Sequence, residues 1–271
     1  MAHTDPQQDS DDPGQAGQAP RRAGDDPQYD RVGDLYRQYK MSATAPVPEL
    51  GLFLRLLGDV AGQRVLDLAT GYGFYARTAH GLGTAEVVGV DLSPEMVRRA
   101  ESATGDPAVR FHVGDARDLP DLGSFDTVTA VWLFNYADSP AELTAMAASA
   151  RRALRPGGRL VAITVNPGYE VHGPDWTRYG LRVHRAEPAE GRHRLRIALI
   201  APEADIPLSM SRWDADVYAR ALAEAGFGPP SWALPDEESI PAEEFASRGA
   251  DYWATALANP FPAGFTAAVP D

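Results

Sequence analysis

The sequence predicts an open α/β fold, a mostly parallel sheet with helices on both faces. Three observations carry this expectation. Short apolar runs alternate with helical segments from Arg64 to Val165. The first run leads into a glycine-punctuated connection, Asp67-Leu68-Ala69-Thr70-Gly71-Tyr72-Gly73. The second run ends on an acid, Asp91. Strands that alternate with helices form parallel sheets through right-handed crossovers.

Residues 1–27 are rich in Asp, Gln, Gly and Pro and offer almost nothing apolar to bury, which predicts an acidic disordered tail. Residues 28–271 read as one domain, divided into a helical lid (28–60), a core (61–165) and a substrate-side insertion with C-terminal elements (166–271). A helical pattern starts near Tyr29 and carries Val32, Leu35, Tyr36 and Tyr39 on one face. Pro46 and Pro48 interrupt it, and a second helix is expected from about Pro48 to Val60.

Arg64–Leu68 reads as strand one, Phe74–Gly81 as a helix and Glu86–Val90 as strand two. Ser93-Pro94-Glu95 opens the next helix, with an N-cap hydroxyl, a proline in the first turn and an acid at the positive dipole end. Val109–Val113 and Phe125–Val131 are strands three and four. Ser139-Pro140-Ala141-Glu142 has capping-box spacing for a helix ending near Leu154. Arg155-Pro156-Gly157-Gly158 reads as a turn before strand five, Arg159–Val165. Residues 166–193 look irregular and polar. Beyond them, Leu195–Ile200 reads as an extra strand, Asp214–Ala225 as a helix, Ser231–Leu234 as a short strand, Ala242–Ala258 as a helix and Phe265–Val269 as a final strand.

Composition narrows the function. The chain has 271 residues, 44% of them hydrophobic, and a formal net charge of −13. The tail holds six acids and two arginines, so the remaining domain is still about −9. That sign opposes binding to a nucleic-acid backbone. Cysteine is absent, which excludes disulfides and thiolate metal sites, and no other metal site is expected. No apolar run approaches the ~18–20 residues of a membrane span, and the N-terminus lacks the apolar stretch of a secretory signal. A cytoplasmic protein, monomer or homodimer, is expected. Lys40 is the only lysine beside 24 arginines, a bias that fits a high-GC genome.

The strand–glycine loop–helix layout, with an acid ending the second strand, is that of a nucleoside-cofactor site. Asp67 turns it away from a dinucleotide, because an acid ahead of the glycines would repel a pyrophosphate at the helix N-terminus. A cofactor with a free amino group and a cationic sulfur would welcome that carboxylate, and S-adenosyl-L-methionine (SAM) is such a cofactor. Gly71 and Gly73 would let the backbone approach it closely. Asp91 would take the ribose hydroxyls, and Asp115 of Gly114-Asp115-Ala116 the adenine amino group.

These residues resemble the class I SAM-dependent methyltransferases. The match covers roughly Arg64 to Val165: the Asp67-x-x-x-Gly71-x-Gly73 loop, Asp91, Gly114-Asp115, Phe125-Asp126 and Arg155-Pro156-Gly157-Gly158. The Ala69-Thr70 pair stands where many members carry Gly-Cys. The resemblance implies a Rossmann-like seven-stranded sheet whose last strand is antiparallel, with SAM as methyl donor and S-adenosyl-L-homocysteine (SAH) as product. It places Asp67, Ala69, Gly71, Gly73, Asp91, Leu92, Met96, Asp115, Ala116 and Trp132 at the cofactor.

Acceptor-side candidates come from three segments. Tyr29, Tyr36 and Tyr39 lie on the N-terminal helix, where an aromatic face can favour a sulfonium. Asn135 and Tyr136 follow strand four. His172, Asp175, Trp176 and Tyr179 lie after strand five. By chemistry His172 is the best candidate base, with Tyr29 as a second catalytic candidate; Tyr36, Asn135, Tyr136, Trp176 and Tyr179 are substrate-binding candidates. The runs Asp175-Trp176-x-x-Tyr179-Gly180, Ala225-Gly226-Phe227 and Tyr252-Trp253-x-x-x-Leu257-Ala258-Asn259-Pro260, with the opening Tyr29-Asp30-x-x-Gly33-x-x-Tyr36, are similar to toxoflavin-type N-methyltransferases, which act on azapteridine ring nitrogens. The expectation is a methyltransferase of a small heteroaromatic secondary metabolite of the antibiotic type, acting at nitrogen. O- or C-methylation, or a non-methylation reaction on the same fold, are the alternatives.

Overall fold

The computed structural model describes residues 33–270. Its centre is a seven-stranded sheet of order β3-β2-β1-β4-β5-β10-β9. The strands are β1 (Arg64–Leu68), β2 (Glu86–Asp91), β3 (Val109–Val113), β4 (Phe125–Val131), β5 (Leu154–Val165), β9 (Ser231–Ala233) and β10 (Pro262–Ala268). The first five pair in parallel, and β10 runs antiparallel to both β5 and β9. This is the Rossmann-like order implied by the resemblance, including the reversed last strand.

Apolar residues on both faces of the strands require cover on both sides. On one face α2 (Pro46–Leu57), α3 (Phe74–Gly81) and α4 (Pro94–Ser102) bury Leu52, Phe53, Tyr75, Ala76 and Val97 against Val65, Val87 and Ile163. On the other, α5 (Pro140–Ala153) and α6 (Ala215–Glu224) bury Leu143, Met146, Tyr218 and Leu222 against Leu66, Val128 and Phe265. The caps behave as their residues dictate. Ser93 Oγ accepts from Met96 N at 3.1 Å, and Ser139 Oγ accepts from Glu142 N at 3.2 Å. The reciprocal bond of the expected capping box goes one residue further out, with Asp138 N donating to Glu142 Oε2 at 2.9 Å.

The main departure from the sequence reading lies after β5. One strand was expected there, at Leu195–Ile200. The structure has an antiparallel three-stranded sheet, β6 (Leu181–Ala189), β7 (Arg192–Ile200) and β8 (Asp205–Trp213). The expected irregular stretch 166–193 is therefore strand from Leu181 onward. The expected helix Ala242–Ala258 is two helices, α7 (Ala242–Arg248) and α8 (Ala250–Ala258), parted at Gly249 with φ +82°. Arg155–Gly158 belongs to the start of β5, where the pairing with β4 shifts register.

The inserted sheet has its own core. Leu181, Leu195, Ile197, Leu199, Ile206, Leu208 and Met210 pack with Trp176, Tyr179, Trp253 and Phe261, and with Tyr39 of α1 (Gly33–Ser42). It lies over the carboxyl ends of β4 and β5, the rim where open α/β sheets bind ligands.

Candidate active site

A cleft enclosing roughly 990 Å³ of space opens along this rim. Ala69, Gly71, Asp91, Leu92, Met96, Asp115, Ala116, Trp132, Tyr36 and Tyr136 all line it, as the sequence predicts. Arg117, Glu142 and Met146 line it as well and were not foreseen. The only two non-glycine residues with positive φ among those described, Ala69 (+57°) and Trp132 (+59°), both sit on this wall. Backbone held in that region costs of order 1–3 kcal/mol and gathers at functional sites.

Asp91 ends β2 with its carboxylate in the cleft. Gly71 N donates to Oδ2 at 2.7 Å and Ser93 N donates to Oδ1 at 2.9 Å. Two backbone amides thus fix the carboxylate on the cleft wall. Gly71 (φ +55°) faces open space where a Cβ would stand, which keeps the loop backbone accessible to a ligand.

Two residues of the expected cofactor set do not line the cleft. Gly73 does not line the cleft. Its φ is +79°, and a Cβ there would lie 2.7 Å from the Phe111 ring, so glycine serves packing rather than ligand approach. Asp67 is 1% exposed and also off the cleft wall. Thr70 Oγ1 donates to its Oδ2 at 2.6 Å and Thr129 Oγ1 to its Oδ1 at 2.7 Å. Burial raises its pKa to about 6, against the lowering by those two hydroxyls, and the nearby Asp91 charge adds to the rise. Asp67 therefore braces the glycine loop from below and does not present a carboxylate to a ligand.

Asp115 is on the wall, but Arg117 holds it, with Nη2 at 2.5 Å and Nε at 2.9 Å. Burial would raise its pKa, yet the Arg117 hydrogen bonds and charge outweigh that and hold it below the usual carboxylate range. Arg117 Nη1 also reaches Glu142 Oε1 at 3.3 Å. An adenine amino group would share Asp115 with this guanidinium.

A second cavity, with about 440 Å³ of open space, adjoins the cleft. Tyr36, Trp132 and Tyr136 line both. Its other walls are Tyr39, Trp176, Leu181, Ile197, Leu199, Leu208, Met210 and Phe261, which are almost wholly apolar. Its two ionisable groups apart from tyrosines are Lys40 and Glu49, neither of them foreseen as site residues. Burial pushes the Tyr36 and Tyr39 phenols well above 10, and the Glu49 charge adds to both shifts.

The remaining candidates fall elsewhere. His172 is exposed in the turn before Trp176 and lines neither cavity, so the structure does not bring it to the site. Asp175 is likewise exposed and outside both. Tyr179 is buried in the second core, stacked on Trp253 at 5.8 Å, and donates from Oη to Tyr252 O. It packs the insertion and touches neither cavity. Asn135 is fully buried, with no partner for either amide atom, and lines a neighbouring cavity beyond Tyr136. Tyr29 lies outside the described residues, as does the 1–27 tail.

Residues 65–158 match the family described as methyltransferase domain. The chain is 36% identical over 112 residues to a ubiquinone biosynthesis O-methyltransferase of Xanthomonas oryzae pv. oryzae, a match covering 40% of this chain and 45% of that protein. The chain thus spans less than half the length of this curated relative. Among solved structures, a SAM-dependent methyltransferase from Listeria monocytogenes superposes with a TM-score of 0.61 at 19% identity, covering 84% of this chain and 99% of that one. SAM-bound CalS10, an amino pentose methyltransferase from Micromonospora echinaspora involved in calicheamicin biosynthesis, gives 0.57 at 19% identity over 88% and 96%. These likenesses establish the class I SAM-dependent methyltransferase fold across most of the chain. No helix among the described residues is long and apolar enough to cross a membrane.

Proposed function

We propose that this protein transfers the methyl group of SAM to a small, planar, largely apolar acceptor, a heteroaromatic secondary metabolite, with ring nitrogen as the methylated atom. The observation that carries the reading is the pair of cavities meeting at Tyr36, Trp132 and Tyr136. One has the carboxylates and glycine loop a nucleoside requires; the other has the apolar and aromatic walls a flat organic molecule requires.

The cleft residues fit SAM. Asp91 would hold the ribose, Gly71 the backbone approach, Asp115 and Arg117 the adenine edge, and Leu92, Met96 and Met146 its faces. Bound there, SAM supplies an electrophilic methyl on a sulfonium. The protein's work is then to orient the acceptor and exclude water. Tyr36, Trp132 and Tyr136 stand between the two cavities, and their ring faces favour a cationic sulfur. No histidine lines either cavity among the described residues. A ring nitrogen with its own lone pair needs no base, which supports N-methylation. Glu49 in the second cavity supports a second reading, O-methylation, in which a carboxylate would take a hydroxyl proton.

The test is turnover with methyl-labelled SAM and a panel of bicyclic nitrogen heterocycles and their hydroxylated analogues. Label in the heterocycle with stoichiometric SAH supports the reading. Label only in the hydroxylated compounds selects the second. Products that form while SAM stays intact would overturn both.

A further inference from the structure

One polar feature interrupts the apolar wall of the second cavity. Lys40, from α1, places Nζ 2.6 Å from Glu49 Oε1 of α2, with side chains 6% and 7% exposed. Tyr75 of α3 donates from its hydroxyl to the same Oε1, and Lys40 Nζ stands 3.4 Å from the Tyr75 oxygen. Tyr36 and Tyr75 flank the ammonium, with ring centroids 5.9 Å and 5.3 Å away. An ammonium has three donors. Glu49 takes one and Tyr75 weakly a second; the third has no partner among the described residues. Glu49 Oε2 likewise accepts no hydrogen bond from them. Both residues line the second cavity and neither lines the cofactor cleft.

A buried ion pair is a poor way to gain stability. Apolar residues of similar volume commonly do as well or better, because both charges must leave water. Position 40 also carries the chain's single lysine, in a sequence that otherwise uses arginine for every basic side chain of this kind. Lysine gives a compact point charge that can turn its free donor toward a ligand, which a planar guanidinium clamped on a carboxylate cannot do as readily.

We propose that the Lys40–Glu49 pair is the recognition edge of the acceptor pocket, selecting molecules that carry a hydrogen-bond acceptor beside a hydrogen-bond donor, as in a ring lactam with adjacent C=O and N–H. Lys40 donates to the carbonyl and Glu49 Oε2 accepts from the N–H. The rest of the ring system lies against Trp176, Leu199 and Phe261, and its other side reaches Trp132 and Tyr136. This inference rests on the second cavity being the acceptor site.

The test measures binding to the SAH-loaded protein by calorimetry, with 2-quinolone as the lactam probe and N-methyl-2-quinolone and quinoline as controls. The first control lacks the donor and the second lacks the lactam edge. Saturable 2-quinolone binding at least tenfold tighter than either control is expected. Lys40→Met/Glu49→Leu should keep SAH binding and lose that preference, as expected for an isosteric apolar replacement. Glu49→Gln, which keeps an acceptor for Lys40 but presents a donor beside it, should lose it too. No saturable 2-quinolone binding to the SAH-loaded wild type, or a preference retained in folded Glu49→Gln or in the double variant, overturns the proposal. So does a double variant that loses SAH as well, since the pair would then be a latch on α1. Wild type that binds no SAH would instead overturn the methyl-transfer reading itself.

Discussion

Replacing Asp91 by alanine tests the cofactor site most directly. The carboxylate accepts two backbone N–H groups, Gly71 at 2.7 Å and Ser93 at 2.9 Å, and faces the cleft. Hydrogen bonds to a charged partner are worth about 1.5–3 kcal/mol each. Gly71 lies on the cleft wall, where its amide can rehydrate, whereas Ser93 is buried, so the cost in stability should be about 1–3 kcal/mol, chiefly for the Ser93 amide left without an acceptor. The cost in cofactor binding should be larger. Two ribose hydroxyls would each lose a charged acceptor, together at least ~3 kcal/mol by the same scale, or about two orders of magnitude in Kd at ~1.4 kcal/mol per tenfold. Asp91→Asn sharpens the test. It keeps one acceptor oxygen but turns an amide donor toward the other backbone N–H, so it should bind SAH little better than alanine. Calorimetric SAH titration, with a thermal melt as a check on folding, measures both effects. A folded Asp91→Ala protein that binds SAH within threefold of wild type would refute the assignment of ribose contacts to this carboxylate.

Three further outcomes are expected. Gly73→Ala should destabilise by about 2–3 kcal/mol in urea unfolding, combining ~1–2 kcal/mol for left-handed backbone with the Phe111 clash. Gly157→Ala, at φ +70° with open space around the new methyl, should lose only the backbone part; equal losses would remove Phe111 from the argument. Asp67, an acid raised from 3.8 to about 6, holds a proton in the folded state that the unfolded chain has released. Its contribution to stability is thus fully present below pH ~4 and is lost as pH rises through 6, on the order of 3 kcal/mol at ~1.4 kcal/mol per unit. Relative to Asp67→Asn, the wild type should lose stability between pH 4 and 6.5, and parallel pH profiles for the two proteins would refute this. Deleting residues 1–25 should leave SAH affinity and Tm nearly unchanged, since that segment has little apolar surface to contribute; a large change in either would contradict it.

The cleft is legible in the sequence because the residues that line it are local in sequence. Gly71, Asp91 and Asp115 each follow a strand, and a parallel sheet brings successive strand ends to one rim. Gly73 and Asp67 match the same pattern yet lie off the cleft wall, one against Phe111 and the other held by Thr70 and Thr129. The acceptor half was less legible for several reasons. β8 does carry a readable alternation, Ile206, Leu208 and Met210 buried with polar or proline residues between, but Pro207 disguises it. β6 gives only a weak signal, since it is a mostly exposed edge strand with Pro188 and several charges. Lys40 and Glu49 look like an ordinary surface pair until α1 and α2 fold under the insertion. His172 was chosen for its chemistry, and nothing in its sequence context fixed its position.

The second cavity is walled by Leu181, Ile197, Leu199, Leu208 and Met210 from the three inserted strands, whereas the cleft is walled by the connections of the central sheet. On the proposed reading, donor and acceptor would draw on largely separate stretches of chain that meet at Tyr36, Trp132 and Tyr136. On that reading, changes in residues 181–213 would reshape the second cavity and leave the cleft as it is. The insertion is in that sense an exchangeable wall rather than a whole pocket: grafting it between relatives of the same fold would be expected to change the apolar shape of the acceptor site, while the Lys40–Glu49 edge stays with α1 and α2.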